Sequence, residues 1–218
     1  MLYALRQPST LLGLALGFVL GCVLRVAVQQ LLVNGRRALR TVTASRGWLD
    51  PFGLVAVLLA GVGWSPRPTL RFGKRSQVWV VVVAAVAVHG LLAAAGLAAY
   101  KAAGGHSGFF PLMSSLAVLH GSQSLATDAG QRIAIGFGIE NLACGLLALV
   151  PVPPLELGVA LWSTLPRSSG SRRLAYHFLE EQWGTAIVLV LLIVPLGGEY
   201  PLLLQLIGDV ADRILHAL

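Results

Sequence analysis

The residues that could do chemistry in this chain are the polar ones set inside or beside apolar runs: Arg25, Gln29, Gln30, His89, Glu140, Asn141 and Glu156. An ionisable group among apolar neighbours is costly and usually faces a packed interior or water. Arg25 has two options: its guanidinium snorkels to a polar boundary, or it pairs with a carboxylate, since a buried guanidinium needs one. Glu140 is one such partner. Gln29 and Gln30 suit hydrogen bonds between helices better than substrate contacts. His89 likewise suits an interhelical bond better than metal ligation. Together His89, Glu140 and Glu156 would offer three ligand types that zinc accepts, yet no CxxC or Cys/His cluster accompanies them. Cys22 and Cys144 lie in apolar stretches and read as small buried hydrophobes. His106, His120, His177 and His216 fall outside the apolar runs and read as exposed or interfacial. A nucleophile elbow, a P-loop and a dinucleotide fingerprint are all missing.

The elements that must position these residues follow from composition. Of the 218 residues, 56% are hydrophobic and 11% charged, with a mean hydropathy of +0.77. Soluble domains carry roughly 25% charged residues. A chain so poor in charge cannot cover a water-facing surface, so the expectation is one integral membrane domain over 1–218, in the cell membrane and multi-pass, with the lipid bilayer as its first partner. The net charge of +7 does not indicate nucleic acid. The basic residues sit in short segments between apolar runs, where charge sets orientation and meets anionic headgroups. A cleavable leader is not expected, because the first apolar run is too long and no small-residue cleavage site follows it.

A bilayer core of about 30 Å takes roughly 20 helical residues. Four runs qualify: Leu11 to Val33, Val78 to Tyr100, Ile133 to Val152 and Trp183 to Leu206. In the last, Pro195 and Gly197-Gly198 should kink or break the helix. Between the first two lies a basic stretch, Gly35 to Arg75, which encloses a short apolar piece, Pro51 to Trp64, too short to span comfortably and read as re-entrant or interfacial. Asp50 should cap it. Phe109 to Leu119 reads as an interfacial helix, Leu155 to Leu165 as a further apolar piece, Leu174 to Gln182 as an amphipathic bridge, and Ile207 to Leu218 as a short amphipathic helix. Trp64, Trp79, Trp162 and Trp183 stand near run ends, where indoles favour the interface. The positive-residue bias places Gly35–Arg75 and Pro166–Arg173 in the cytoplasm and Lys101–Gln131 outside.

Three local patterns, at Leu49-Asp50-Pro51-Phe52-Gly53, at Pro151-Val152-Pro153-Pro154-Leu155-Glu156 and at Glu180-Glu181-Gln182-Trp183-Gly184, together resemble the site-2 protease family of intramembrane zinc metalloproteases. Leu49-Asp50-Pro51-Phe52-Gly53, followed by Gly61-Val62-Gly63-Trp64-Ser65-Pro66-Arg67-Pro68, is similar to the family's LDPxG and GWxxPVP-like elements. Leu149-Val150-Pro151-Val152-Pro153-Pro154-Leu155-Glu156 is similar to its NLLPIPPLDG stretch. Phe178-Leu179-Glu180-Glu181-Gln182-Trp183-Gly184 resembles its last-helix start. Order and spacing agree from about Leu11 to Pro195. The resemblance implies an all-α, multi-pass transmembrane helix bundle of about four to six membrane segments, zinc, and endopeptidase chemistry.

The demanding positions depart from that pattern. Where the family carries HExxH, two His on one helical face and a Glu that activates water, this chain has Leu24-Arg25-Val26-Ala27-Val28-Gln29. Arg25 and Gln29 stand at the histidine positions and Val26 at that of the base. Met1 to Asp50 holds no His, and its sole carboxylate is Asp50. The third ligand position is Glu156, with Leu157 for the following Gly, and Ala148 for the Asn before the turn. Ala85-Val86-Ala87-Val88-His89-Gly90 lacks the family's Pro and Asn. The fold implied by the resemblance would bring Arg25 and Glu156 together as an ion pair in place of zinc. The expected function is therefore a catalytically inactive relative, with no catalytic or metal residue and no cofactor, that binds or regulates a transmembrane partner. Two alternatives stay open. One is an active metalloprotease with an unconventional site, in which Glu140 or Glu156 activates water on zinc. The other is a small transporter or channel subunit.

Overall fold

A computed structural model describes residues 1–34, 50–65, 75–122, 128–164, 170, 183–196 and 199–218. Among these residues the chain is all helix: α1 (Pro8–Asn34), α2 (Pro51–Ala60), α3 (Arg75–Ala102), α4 (Ser115–Leu119), α5 (Ala129–Ala148), α6 (Glu156–Thr164), α7 (Trp183–Ile193) and α8 (Leu202–His216), with 3-10 turns at Leu2–Arg6 and Ser107–Leu112. Most of the basic stretch 35–75, most of the basic loop at 166–173, the amphipathic bridge at 174–182, His177, and most of the last of the three family-like patterns lie outside the described residues.

Among the described residues, two helices are long and apolar enough to cross a membrane, over Pro8–Val33 and Gln77–Ala102. At 1.5 Å per residue each exceeds a 30 Å hydrocarbon layer. Large apolar side chains remain exposed along both, among them Leu12, Leu16, Leu20 and Leu24 on α1 and Val83 and Leu91 on α3. A helix apolar on every side has no face for water.

α5 is the central element, flanked by α1 and α3. Gly13 lies against Ile133, Gly17 against Phe137 and Gly21 against Asn141, so α1 runs parallel to α5. Gln29 meets Val81 while Gly21 meets His89, so α3 runs antiparallel to α1. A Cβ at Gly21 would stand 2.6 Å from Asn141 Oδ1 and 2.8 Å from the His89 ring, so a residue without a side chain is required where these three helices meet. α5 spans 20 residues but is less apolar than α1 and α3, because Glu140 and Asn141 are buried inside it.

The short apolar piece after Asp50 forms α2, ten residues long. Asp50 Oδ1 accepts from Phe52 N at 2.8 Å and Gly53 N at 3.0 Å, with Pro51 at the first helical position, as expected of that cap. Gly61, at φ 87°, ends the helix in a conformation that favours glycine. Residues 61–65 then return along α2. A Cβ on Gly53 would collide with the Trp64 carbonyl oxygen, which is why that position tolerates only glycine. The chain thus goes out on a helix and comes back beside it. The Met1 amino group donates to the Val57 carbonyl at 2.7 Å and the Leu58 carbonyl at 3.0 Å near the end of α2.

Several expectations need correction. The run Trp183 to Leu206 does break at Pro195 as expected, α7 stopping at Ile193, but its last part, from Leu202, belongs to the tail helix α8. The tail helix therefore begins five residues before Ile207. Phe109 to Leu119 is not a single interfacial helix, because Phe110, Met113, Val118 and Leu119 are buried in the main core. Trp64 is not interfacial either. It is 5% exposed, packed with Val57 and Val62 in the core. Trp79 and Trp183 are exposed. α8 packs against α4, α5 and α7, where Asp212 accepts from Ser115 N at 2.7 Å and Ser115 Oγ donates to the Gly208 carbonyl at 3.3 Å.

Candidate functional site

The site is built where α1, the returning segment 61–65 and the start of α6 converge. Arg25, 3% exposed, projects from α1. Its Nη1 forms an ion pair with Glu156, the first residue of α6. Its Nη2 donates to the Ser65 carbonyl at 2.7 Å and also to the Ser65 hydroxyl. The returning segment presents Ser65 because Gly53 and Gly63 let it lie against α2. α6 presents Glu156 because Gly158 lets the Val152–Pro153 backbone fold close onto the helix. A carboxylate in the first turn also meets the positive end of the helix dipole. Val26, beside Arg25, is buried and purely apolar.

A second polar layer flanks this pair. Gln29, one turn after Arg25, donates from Nε2 to the Val81 carbonyl at 3.0 Å. His89 Nδ1 and Asn141 Oδ1 are 3.0 Å apart. Asn141 Nδ2 donates to the Phe137 carbonyl at 3.0 Å and to the Gly17 carbonyl at 3.3 Å. Both Gln29 and His89 therefore join helices through hydrogen bonds, the role expected of them. Gln30 is half-buried. Glu140, fully buried, does not pair with Arg25; its Oε1 lies 3.5 Å from the Cys144 thiol, which also reaches the Gly63 carbonyl at 3.6 Å. Glu140 Oε2 has no hydrogen-bond partner among the described residues. A small cleft is shared by Arg25, Ser65, His89, Cys144 and Glu156.

This donor set does not fit zinc. A guanidinium keeps its charge and has no lone pair to give a metal. The oxygens of Ser65 and Glu156 already serve that guanidinium. Among the described residues, no three His, Cys, Asp or Glu side chains gather where one ion could be shared. The combination His89, Glu140 and Glu156 is not assembled: His89 turns to Asn141, Glu140 to Cys144 and Glu156 to Arg25.

Two participants escaped sequence reasoning. Ser65 carried no signal beyond its place after Trp64, because its partner lies 40 residues away. Cys144 read as a plain hydrophobe, and its spacing of four from Glu140 on one helix was the available clue.

A protein of Bacillus subtilis (strain 168) named "Putative zinc metalloprotease YwhC" is 33% identical to this chain over 156 residues, covering 69% of the chain and 63% of that protein. The chain thus spans less than two thirds of that relative's length. No family model and no solved structure matches the chain. What the likeness supplies is a relative named as a zinc metalloprotease, set against a site where, among the described residues, no three metal-binding side chains gather.

Proposed function

We propose that this chain is a multi-pass membrane protein of site-2-protease-like fold that has lost catalysis and holds its core together by charge pairing instead of metal. The observation that carries the reading is Arg25 bound at once to Glu156 and to Ser65. The guanidinium ties α1 to the returning segment 61–65 and to α6, the same convergence that a metal shared between helices would stabilise. Similarity to a protein named as a zinc metalloprotease supports the family assignment. The apolar exposed faces of α1 and α3 support the bilayer as solvent. On this reading the chain acts by binding: it engages or regulates a transmembrane partner.

Proteolytic assay in zinc-containing proteoliposomes tests the reading. With transmembrane peptides as substrates, wild-type protein is expected to give no more cleavage than empty liposomes. Cleavage that disappears in Glu156→Gln or Glu140→Gln would overturn it.

A further inference from the structure

α2 and α7 lie in contact and are short, ten and eleven residues. At 1.5 Å per residue each covers about half of a 30 Å hydrocarbon layer. Both run out at one place. Leu59 and Ala60 at the end of α2 and Ile193 at the end of α7 line a cleft of about 1000 Å³. The 3-10 turn Leu2–Arg6, residues 120–122, Pro195 and the stretch from Glu199 to the start of α8 form its remaining walls. Within a bilayer, an apolar element shorter than the hydrocarbon layer is accommodated by local thinning, by oligomerisation or by apolar contact from another molecule, and this cleft opens where both short helices end.

The rim shows what kind of molecule suits it. His120 is stacked on Tyr200, with centroids 5.4 Å apart and planes at 12°, and meets the edge of Tyr3 at 4.9 Å. Such amphipathic rings favour headgroup level. Arg6 adds a cation to the cleft and Glu199 a carboxylate, and the two form no ion pair with each other. An apolar floor, an aromatic collar and one charge of each sign, Arg6 and Glu199, match a molecule with a hydrocarbon tail and a zwitterionic phosphate headgroup.

We propose that this cleft seats an acyl chain of a bilayer phospholipid, with its phosphate at Arg6. The lipid completes the membrane half that α2 and α7 leave short. The inference rests on the membrane reading above and is independent of whether catalysis is lost.

The test uses the full chain in nanodiscs of phosphatidylethanolamine and phosphatidylglycerol, part of it carrying a diazirine on the acyl chain. Native mass spectrometry of the released protein should show a retained phospholipid, and photolysis should label peptides containing Leu59, Ile193 or Leu204. Arg6→Gln should lower retention about fivefold, the worth of one cation near headgroups. Leu59→Trp, which fills the floor from a partly exposed position, should abolish labelling there. Wild-type protein that carries no lipid, labels only elsewhere, or emerges as a dimer closed over the cleft overturns the proposal. Alkaline carbonate extraction of the source membranes separates the two readings. Protein that stays in the membrane pellet yet binds no lipid sinks the lipid site alone, whereas protein released into the supernatant sinks the membrane reading with it.

Discussion

Arg25 on α1 and Glu156 at the start of α6 form a buried ion pair, and Ser65 takes the second amino group of the same guanidinium. Both charged residues are nearly inaccessible, at 3% and 5%. Their charges cannot fall back on water, so each depends on the other. Removing one partner strands a buried charge at a cost of about 3–5 kcal/mol, while replacing both with apolar residues of like volume is often neutral. Arg25→Met and Glu156→Leu should each lower thermal stability in detergent strongly, and the double variant should recover most of the loss. Equal destabilisation of the double variant and the worse single variant would contradict the pairing.

The hydrogen bond between His89 and Asn141 joins α3 to α5 beside Gly21. Interhelical polar contacts in membrane bundles contribute about 0.6–2 kcal/mol. A double-mutant cycle with His89→Leu and Asn141→Leu should return a coupling of that size. Gly21→Val at the same crossing should destabilise by about 1–3 kcal/mol through overpacking, read as a fall in unfolding midpoint.

Much of this was legible in the sequence. Asp50-Pro51 announced a capped helix start, and the ten-residue α2 has that cap. The runs around Leu11–Val33 and Val78–Tyr100 became α1 and α3, because an unbroken apolar run has one way to satisfy its backbone without water. Arg25 and Glu156 were paired through a family likeness rather than through spacing, since 131 positions separate them and no periodicity links them. Ser65 and the attachment of Asp212 to Ser115 could not be read, because both depend on distant segments meeting. Trp64 misled because indoles at run ends usually mark the interface, whereas the return of residues 61–65 along α2 carries this one into the core.

Asp212 caps the start of α4 from α8 by accepting from Ser115 N. Loss of a cap typically costs about 1 kcal/mol. Asp212→Ala should loosen α8 from α4, and hydrogen exchange should rise in both helices while α1 and α3 stay protected. Unchanged exchange in α8 would contradict a docking role.

His120, outside the long helices, titrates below its ordinary value, first because burial disfavours its charged form and second because the Met1 amino group lies near. A depressed folded-state pKa means that the unfolded chain binds the proton more readily. The contribution is therefore intact well above pH 6.5 and is lost as pH falls through that value toward the lower folded pKa. Wild-type stability should drop between neutral and mildly acidic pH, and His120→Phe, which keeps a ring against Tyr200, should flatten that drop. Matching pH profiles would contradict it.

Zinc content measures the central claim most directly. Protein purified without chelator, incubated with zinc and desalted, should carry metal well below one equivalent by inductively coupled plasma mass spectrometry, unchanged in Glu156→Gln. About one tightly held zinc per chain, lost in Glu156→Gln, would show that the guanidinium does not stand in for the metal.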